Sequence, residues 1–115
     1  MTLSEKQRRF TWLLAKFLLW SYEQGYSFTL GEAYRTPEQA ALNAQKGTGI
    51  RKSLHTIRLA IDLNLFDREG KYRPDPEAYA PLGAYWKSLH PNCAWGGDFK
   101  SKDANHFSFE HDGIR

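Results

Sequence analysis

Few residues in this chain can do chemistry, and their types narrow what that chemistry is. The 115 residues include four histidines and a single cysteine, Cys93. One cysteine forms neither an intramolecular disulfide nor a thiolate cluster, so any metal must be held by imidazole and carboxylate. In Ile57-Arg58-Leu59-Ala60-Ile61-Asp62-Leu63-Asn64-Leu65 every odd position is aliphatic and every even one polar or small, the alternation of a half-buried strand. Asp62 therefore points away from the core, on the face of Arg58, Ala60 and Asn64. In a second alternating run, Phe107 and Phe109 face one way, and His106, Ser108 and Glu110 the other. If the two strands are neighbours, Asp62 and His106 approach one point. His55 joins them only if the chain up to about Thr56 is loop, because parity in a longer strand would turn it to the core. Two imidazoles and one carboxylate suit a catalytic zinc ion, with the fourth tetrahedral position left for water. Such an ion lowers the pKa of that water and polarises a carbonyl. Asp103 stands three residues before His106, so its carboxylate returns to the same side over one turn and is the candidate base. The rival, Glu110, lies about 13 Å from His106 by strand rise.

These residues need a frame. From Ser4 to about Gln24 the apolar residues Phe10, Leu13, Leu14, Phe17 and Leu18 recur at helical spacing, with Ser4 as cap and Gly25 as terminator. Tyr26 to Tyr34 is β-rich. Thr36 and Pro37 read as the cap and first turn of a helix through Gln45. Lys46 to Ser53 reads as a surface loop. A turn at Asp67 to Gly70 and a short returning strand at Lys71 to Arg73 lead to a helix over Asp75 to Leu89, with Pro76 and Glu77 in its first turn. Its buried side is expected to use Tyr79, Leu82, Tyr85, Trp86 and Leu89, and Pro91 ends it. A glycine-rich loop then precedes the last strand. Within it, Asp98 is expected to tie the loop through backbone hydrogen bonds, Trp95 is either core or substrate wall, and Cys93 is a small buried hydrophobe. This order of elements predicts an α+β domain, helices packed on a small antiparallel sheet.

Length allows one compact domain over 1–115. The net charge of +3 and pI near 9.1 suit an anionic polymer as partner. Nucleic acid fits poorly, because the dense basic stretch Lys46 to Lys52 contains no aromatic residue. The apolar run Phe10 to Trp20 contains Lys16 and falls short of the roughly 20 residues a spanning helix needs. No convincing cleavage site follows it, which predicts a protein made without a secretion signal.

Ser53-Leu54-His55, Ala60-Ile61-Asp62, Trp95-Gly96-Gly97-Asp98-Phe99 and Asp103-Ala104-Asn105-His106-Phe107, in that order, resemble the zinc peptidases of the D-Ala-D-Ala carboxypeptidase and dipeptidase family. The nearer likeness is the phage branch, the L-alanyl-D-glutamate endopeptidases that serve as endolysins, and it extends from about Glu32 to His111. The resemblance implies a hedgehog/D-Ala-D-Ala-peptidase-like fold, one zinc ion on His55, Asp62 and His106, and Asp103 as general base. An aspartate at 103, where the carboxypeptidase branches have glutamate, favours the endopeptidase branch. Arg35 matches an arginine that helps stabilise the substrate carbonyl or oxyanion, with surface pairing to Glu32 or Glu38 as the lesser alternative. Ser53 matches a residue of the substrate-binding rim. Arg58 stands where the family often has glycine, and on the metal face of the strand it would narrow the cleft or engage an anionic substrate. The implied protein is a monomeric catalytic domain with no separate wall-binding domain and no membrane insertion. It would cut the L-Ala-D-Glu bond of the peptidoglycan stem peptide for a phage or prophage. It would be made in the host cytoplasm and act at the wall or periplasm once the membrane is permeabilised. A D,D- or L,D-carboxypeptidase is the alternative within the class, and a basic nucleic-acid-binding module the alternative outside it.

Overall fold

The computed structural model of the protein describes residues 1–47 and 53–115. The chain runs through α1 (Leu3–Glu23), β1 (Ser27–Leu30), α2 (Pro37–Gln45), β2 (Ala60–Phe66), α3 (Pro76–Ser88), β3 (Cys93–Trp95) and β4 (His106–Phe109). Single 3₁₀ turns stand at Leu54–Ile57 and Gly96–Asp98. The strands form an antiparallel sheet in the order β1-β2-β4-β3. With α1 and α3 packed against it, the fold is the α+β arrangement expected, and among the described residues no helix is long and apolar enough to cross a membrane.

Each helix begins where a side chain can accept the first free N–H groups. For α1 that side chain is Thr2, two residues earlier than the expected Ser4. Thr2 accepts from the Glu5 N–H while the Glu5 carboxylate accepts from the Thr2 N–H, a reciprocal capping box. Thr36 caps α2 and Asp75 caps α3, each with proline at the first turn. The apolar stripe of α1 turns Phe10, Leu13 and Phe17 inward, where Phe17 meets Trp86 and Phe107 edge-on or tilted.

Helix α3 is locked to the sheet by polar tips on apolar bodies. The Tyr79 hydroxyl donates to the Leu63 carbonyl at 2.6 Å and accepts from the Leu65 N–H at 3.0 Å. The Trp86 indole donates to the carbonyls of Ala94 and Ser108. Tyr79, Leu82 and Trp86 are buried as expected, whereas Tyr85 and Leu89 are half-buried. The buried position that periodicity misses is Gly83: a Cβ there would sit 2.3 Å from the Trp95 ring, so the indole packs directly on the helix backbone. This contact makes Trp95 a core residue.

Three boundaries differ from the sequence reading. Strand β2 starts at Ala60, not Ile57, because Leu54–Ile57 is wound into a 3₁₀ turn and Arg58 follows it at φ 58. The returning strand at Lys71 to Arg73 is reduced to one bridge, Tyr72 to Phe66. Cys93–Trp95, read as part of a loop, pairs with β4 and makes that strand internal. All four residues of β4 are therefore buried, including His106 and Ser108. Of the loop expected at Lys46 to Ser53, Lys46 ends α2 and Ser53 begins the next turn, and residues 48–52 lie outside those described.

Candidate metal centre

Sheet register does most of the assembly. Strands β2 and β4 pair with Asp62 directly opposite His106, which brings the two side chains to the same face of adjacent strands. His55 arrives from the 3₁₀ turn that precedes β2. Ser53 holds that turn by accepting the His55 N–H on its hydroxyl and the Thr56 N–H on its carbonyl. The left-handed Arg58 then redirects the chain, with the Leu59 N–H donating back to Leu54. The condition for His55 to join Asp62, that the strand begin after it, is met.

The resulting cluster is tight. Ligand atoms of His55, Asp62 and His106 all lie within 4.8 Å of one another. Asp62 Oδ1 stands 3.3 Å from His55 Nε2 and 3.8 Å from His106 Nδ1. That oxygen is buried with no hydrogen-bond partner among the described residues. Burial pushes the His106 imidazole down to about 4, helped by the neighbouring His55 and opposed by Asp62. At neutral pH it is therefore an uncharged ring with a lone pair to give. Two imidazole nitrogens and an unpartnered carboxylate oxygen facing one another are what a small cation needs. Imidazole nitrogen and carboxylate oxygen are the donors zinc takes, and three of them would leave one position for water. The donor set fits a divalent metal.

Asp103 sits at the lip. Its carboxylate lies 3.8 Å from His106 Nδ1, and its side chain is 55 % exposed. Partial desolvation, then the nearby Asp62 charge, push its carboxyl above the ordinary aspartate range, against the pull of His55 and Arg35. The position depends on Gly96, whose carbonyl accepts the Asp103 N–H at 2.9 Å. A Cβ on Gly96 would come within 2.0 Å of the Asp103 carbonyl oxygen, so that loop closes only over glycine.

The other expected site residues fall on both sides of the reading. Arg35 is largely buried and bound to Glu32, its Nε donating to Glu32 Oε1 at 2.8 Å, and its charge still acts on Asp103 and His106. Ser53, expected at the substrate rim, is buried and its hydroxyl is occupied in the His55 turn. Arg58 is not on the metal face of β2, since β2 has not yet begun there. Its guanidinium lies over the Tyr34 ring, 3.9 Å from the centroid. The glycine usual at this position suits the φ of 58, a backbone need rather than a chemical one. Asp98 binds the Lys87 ammonium at 2.6 Å, so among the described residues it ties the glycine loop to α3 by an ion pair rather than by backbone hydrogen bonds. Glu110 lies past the end of β4. Glu32 was missed as a site residue: its Oε1 lies 3.7 Å from His55 Nδ1, a buried nitrogen without a partner among the described residues. The only signal in the sequence was its spacing from Arg35.

No curated protein matches the chain. Among solved structures, the Serratia marcescens L-Ala D-Glu endopeptidase ChiX superposes with a TM-score of 0.61 at 21% identity, over 72% of this chain and 66% of that one. This chain thus spans a little under two thirds of that protein, and at this identity the likeness concerns the fold. Residues 46–109 match the family described as D-alanyl-D-alanine carboxypeptidase. That stretch is more than half of the 115 residues and takes in His55, Asp62, Asp103 and His106 together, so the chain belongs to the D-alanyl-D-alanine carboxypeptidase family of peptidases.

Proposed function

We propose that this chain is a zinc peptidase that hydrolyses the bond between L-Ala and D-Glu in the stem peptide of bacterial peptidoglycan. The observation that carries the reading is the unpartnered Asp62 Oδ1 between two imidazole nitrogens, with the Asp103 carboxylate beside them. His55, Asp62 and His106 would hold the zinc, which supplies Lewis acidity for the scissile carbonyl and acidifies water. Asp103 takes the proton of the attacking water and hands it to the leaving amine, and its upward-shifted carboxyl makes it a better base than an ordinary aspartate. Arg35, whose charge acts on Asp103 and His106, would help hold the negative charge that develops on the carbonyl oxygen. Ser53 holds the turn that presents His55.

The choice of bond rests on the aspartate at position 103 and on the endopeptidase named for the similar fold. The family description favours a second reading, release of a terminal D-Ala by a carboxypeptidase. The net charge of +3 supports an anionic wall as the surface approached. The role proposed is a phage or prophage lysis enzyme that reaches the wall or periplasm through a membrane opened by another protein. Digestion of purified muropeptides, read by mass spectrometry, tests the reaction. Cleavage after L-Ala is expected, and loss of terminal D-Ala alone would replace the endopeptidase by the carboxypeptidase.

A further inference from the structure

We infer that Glu32 is a positioning residue of the metal centre: its carboxylate, clamped by Arg35, accepts the Nδ1–H of His55 and so commits Nε2 to the ion. The inference rests on the zinc reading above and extends it to a side chain outside the matched stretch of residues 46–109.

Backbone bonds place Glu32 with unusual firmness for a residue in an irregular segment. Its carbonyl accepts the Asp62 N–H at 2.9 Å, and the preceding Gly31 N–H donates to the Asp62 carbonyl at 2.8 Å. A side chain on Gly31 would meet Asp62 at 3.0 Å, so this segment runs close against β2. Three residues on, the Arg35 N–H donates to the His55 carbonyl at 3.1 Å. The segment from Glu32 to Arg35 is thus fastened at one end to Asp62 and at the other to His55.

The side chains follow the same plan. Arg35 binds Glu32 Oε1 through both Nε and Nη2, which fixes the carboxylate and offsets its charge. The same oxygen is 3.7 Å from His55 Nδ1, about 0.7 Å beyond a hydrogen bond. A small rotation of the imidazole would close that gap. The His55 ring is only 3% exposed, so its Nδ1–H must find an acceptor inside the protein or go without. A neutral imidazole carries one N–H. With Nε2 facing Asp62 Oδ1 at 3.3 Å, that nitrogen gives a lone pair to a metal only when the proton resides on Nδ1. A carboxylate beyond Nδ1 selects this tautomer, orients the ring and raises its basicity. Charge points the same way: Glu32, Asp62 and Asp103 against Arg35 leave two negative charges, which one divalent ion balances.

The test uses the full chain and two readouts besides activity. Zinc affinity is measured by competition with a chromophoric chelator, and the His55 Nδ1–H resonance is followed by nitrogen–proton correlation in the zinc-loaded protein. Glu32→Ala should weaken zinc binding by about 10- to 100-fold. Glu32→Gln, which keeps the shape and a weaker acceptor, should weaken it less and move the Nδ1–H resonance upfield. Glu38→Ala, an exposed acid in the first turn of α2, should change neither. Wild-type protein that binds no zinc would overturn the metal reading and this one with it. Tight zinc binding by the wild type, with affinity and resonance unchanged in Glu32→Gln, overturns the role of Glu32 and leaves the metal centre standing. Should Glu32→Ala fail to fold, the glutamine variant still decides.

Discussion

Asp103 and His55 stand on opposite sides of the candidate centre, and the difference gives a sharp mutational contrast. Asp103 is about half exposed, stands 3.8 Å from His106 and is not one of the three donors, so removing its carboxylate leaves them intact. Asp103→Ala should retain one zinc per chain, measured by elemental analysis, and lose about 10²- to 10⁴-fold in muropeptide cleavage. His55→Ala should lose both metal and activity, and an Asp103→Ala protein with full activity would refute the base assignment. Cys93 gives a control away from the centre. Its thiol is buried and pushed up to about 12, chiefly by burial, so at pH 8 it is protonated. The folded protein should barely react with a thiol reagent in an absorbance assay, and the same protein in denaturant should react to one equivalent. Asp62 and His106 were legible from strand parity alone, because each lies on the polar side of an alternating run. Glu32 was not, since its importance comes from a turn that folds back on β2, and nothing in a three-residue spacing to Arg35 announces that.

At the scale of elements, the site is made by two short irregular pieces inserted into a regular sheet. One is the 3₁₀ turn at Leu54–Ile57, and the other is the loop from Gly96 to Asp103. Alternation in Ile57 to Leu65 extended the strand three residues too far, because Ile57 and Leu59 are apolar for packing reasons while Arg58 between them is left-handed. Hydrophobic period reports burial, not dihedral angle, and the two part company at such a turn. β3 escaped notice for a related reason: three residues are too few to show a period, and the glycines after them read as loop. The glycine loop also carries a prediction. Gly96→Ala would drive a methyl into the Asp103 carbonyl, and the overpacking should cost about 1–3 kcal/mol in chemical denaturation. Because the displaced backbone carries the base, activity should fall by more than the loss of folded protein accounts for. Gly70→Ala, where nothing lies within 4 Å of the added atom but φ is 77, should cost some stability through backbone strain and leave the activity of the folded fraction unchanged.

Across the whole molecule, the ion would tie together pieces that are far apart in sequence. His55 leads into β2, Asp62 lies within it, and His106 opens β4, so one bound ion would cross-link the two middle strands and the turn before them. Without it, Asp62 Oδ1 is a buried acceptor with no hydrogen-bond partner among the described residues, and the two imidazoles crowd it from 3.3 and 3.8 Å. The apolar core does not depend on the ion, since Phe17, Trp86, Phe107, Leu63 and Leu65 are packed on the other face of the sheet by contacts of their own. The chain should therefore stay folded when the metal is chelated, but with a lower unfolding midpoint. Zinc at about 100 times its dissociation constant should stabilise it by roughly 2.7 kcal/mol, a shift of several degrees for a domain of this size. The measurement is a pair of thermal melts, with excess chelator and with excess zinc, repeated on His106→Ala. The zinc-dependent difference should vanish in that variant, and a wild-type midpoint indifferent to zinc would show that the three donors do not hold an ion in the folded protein.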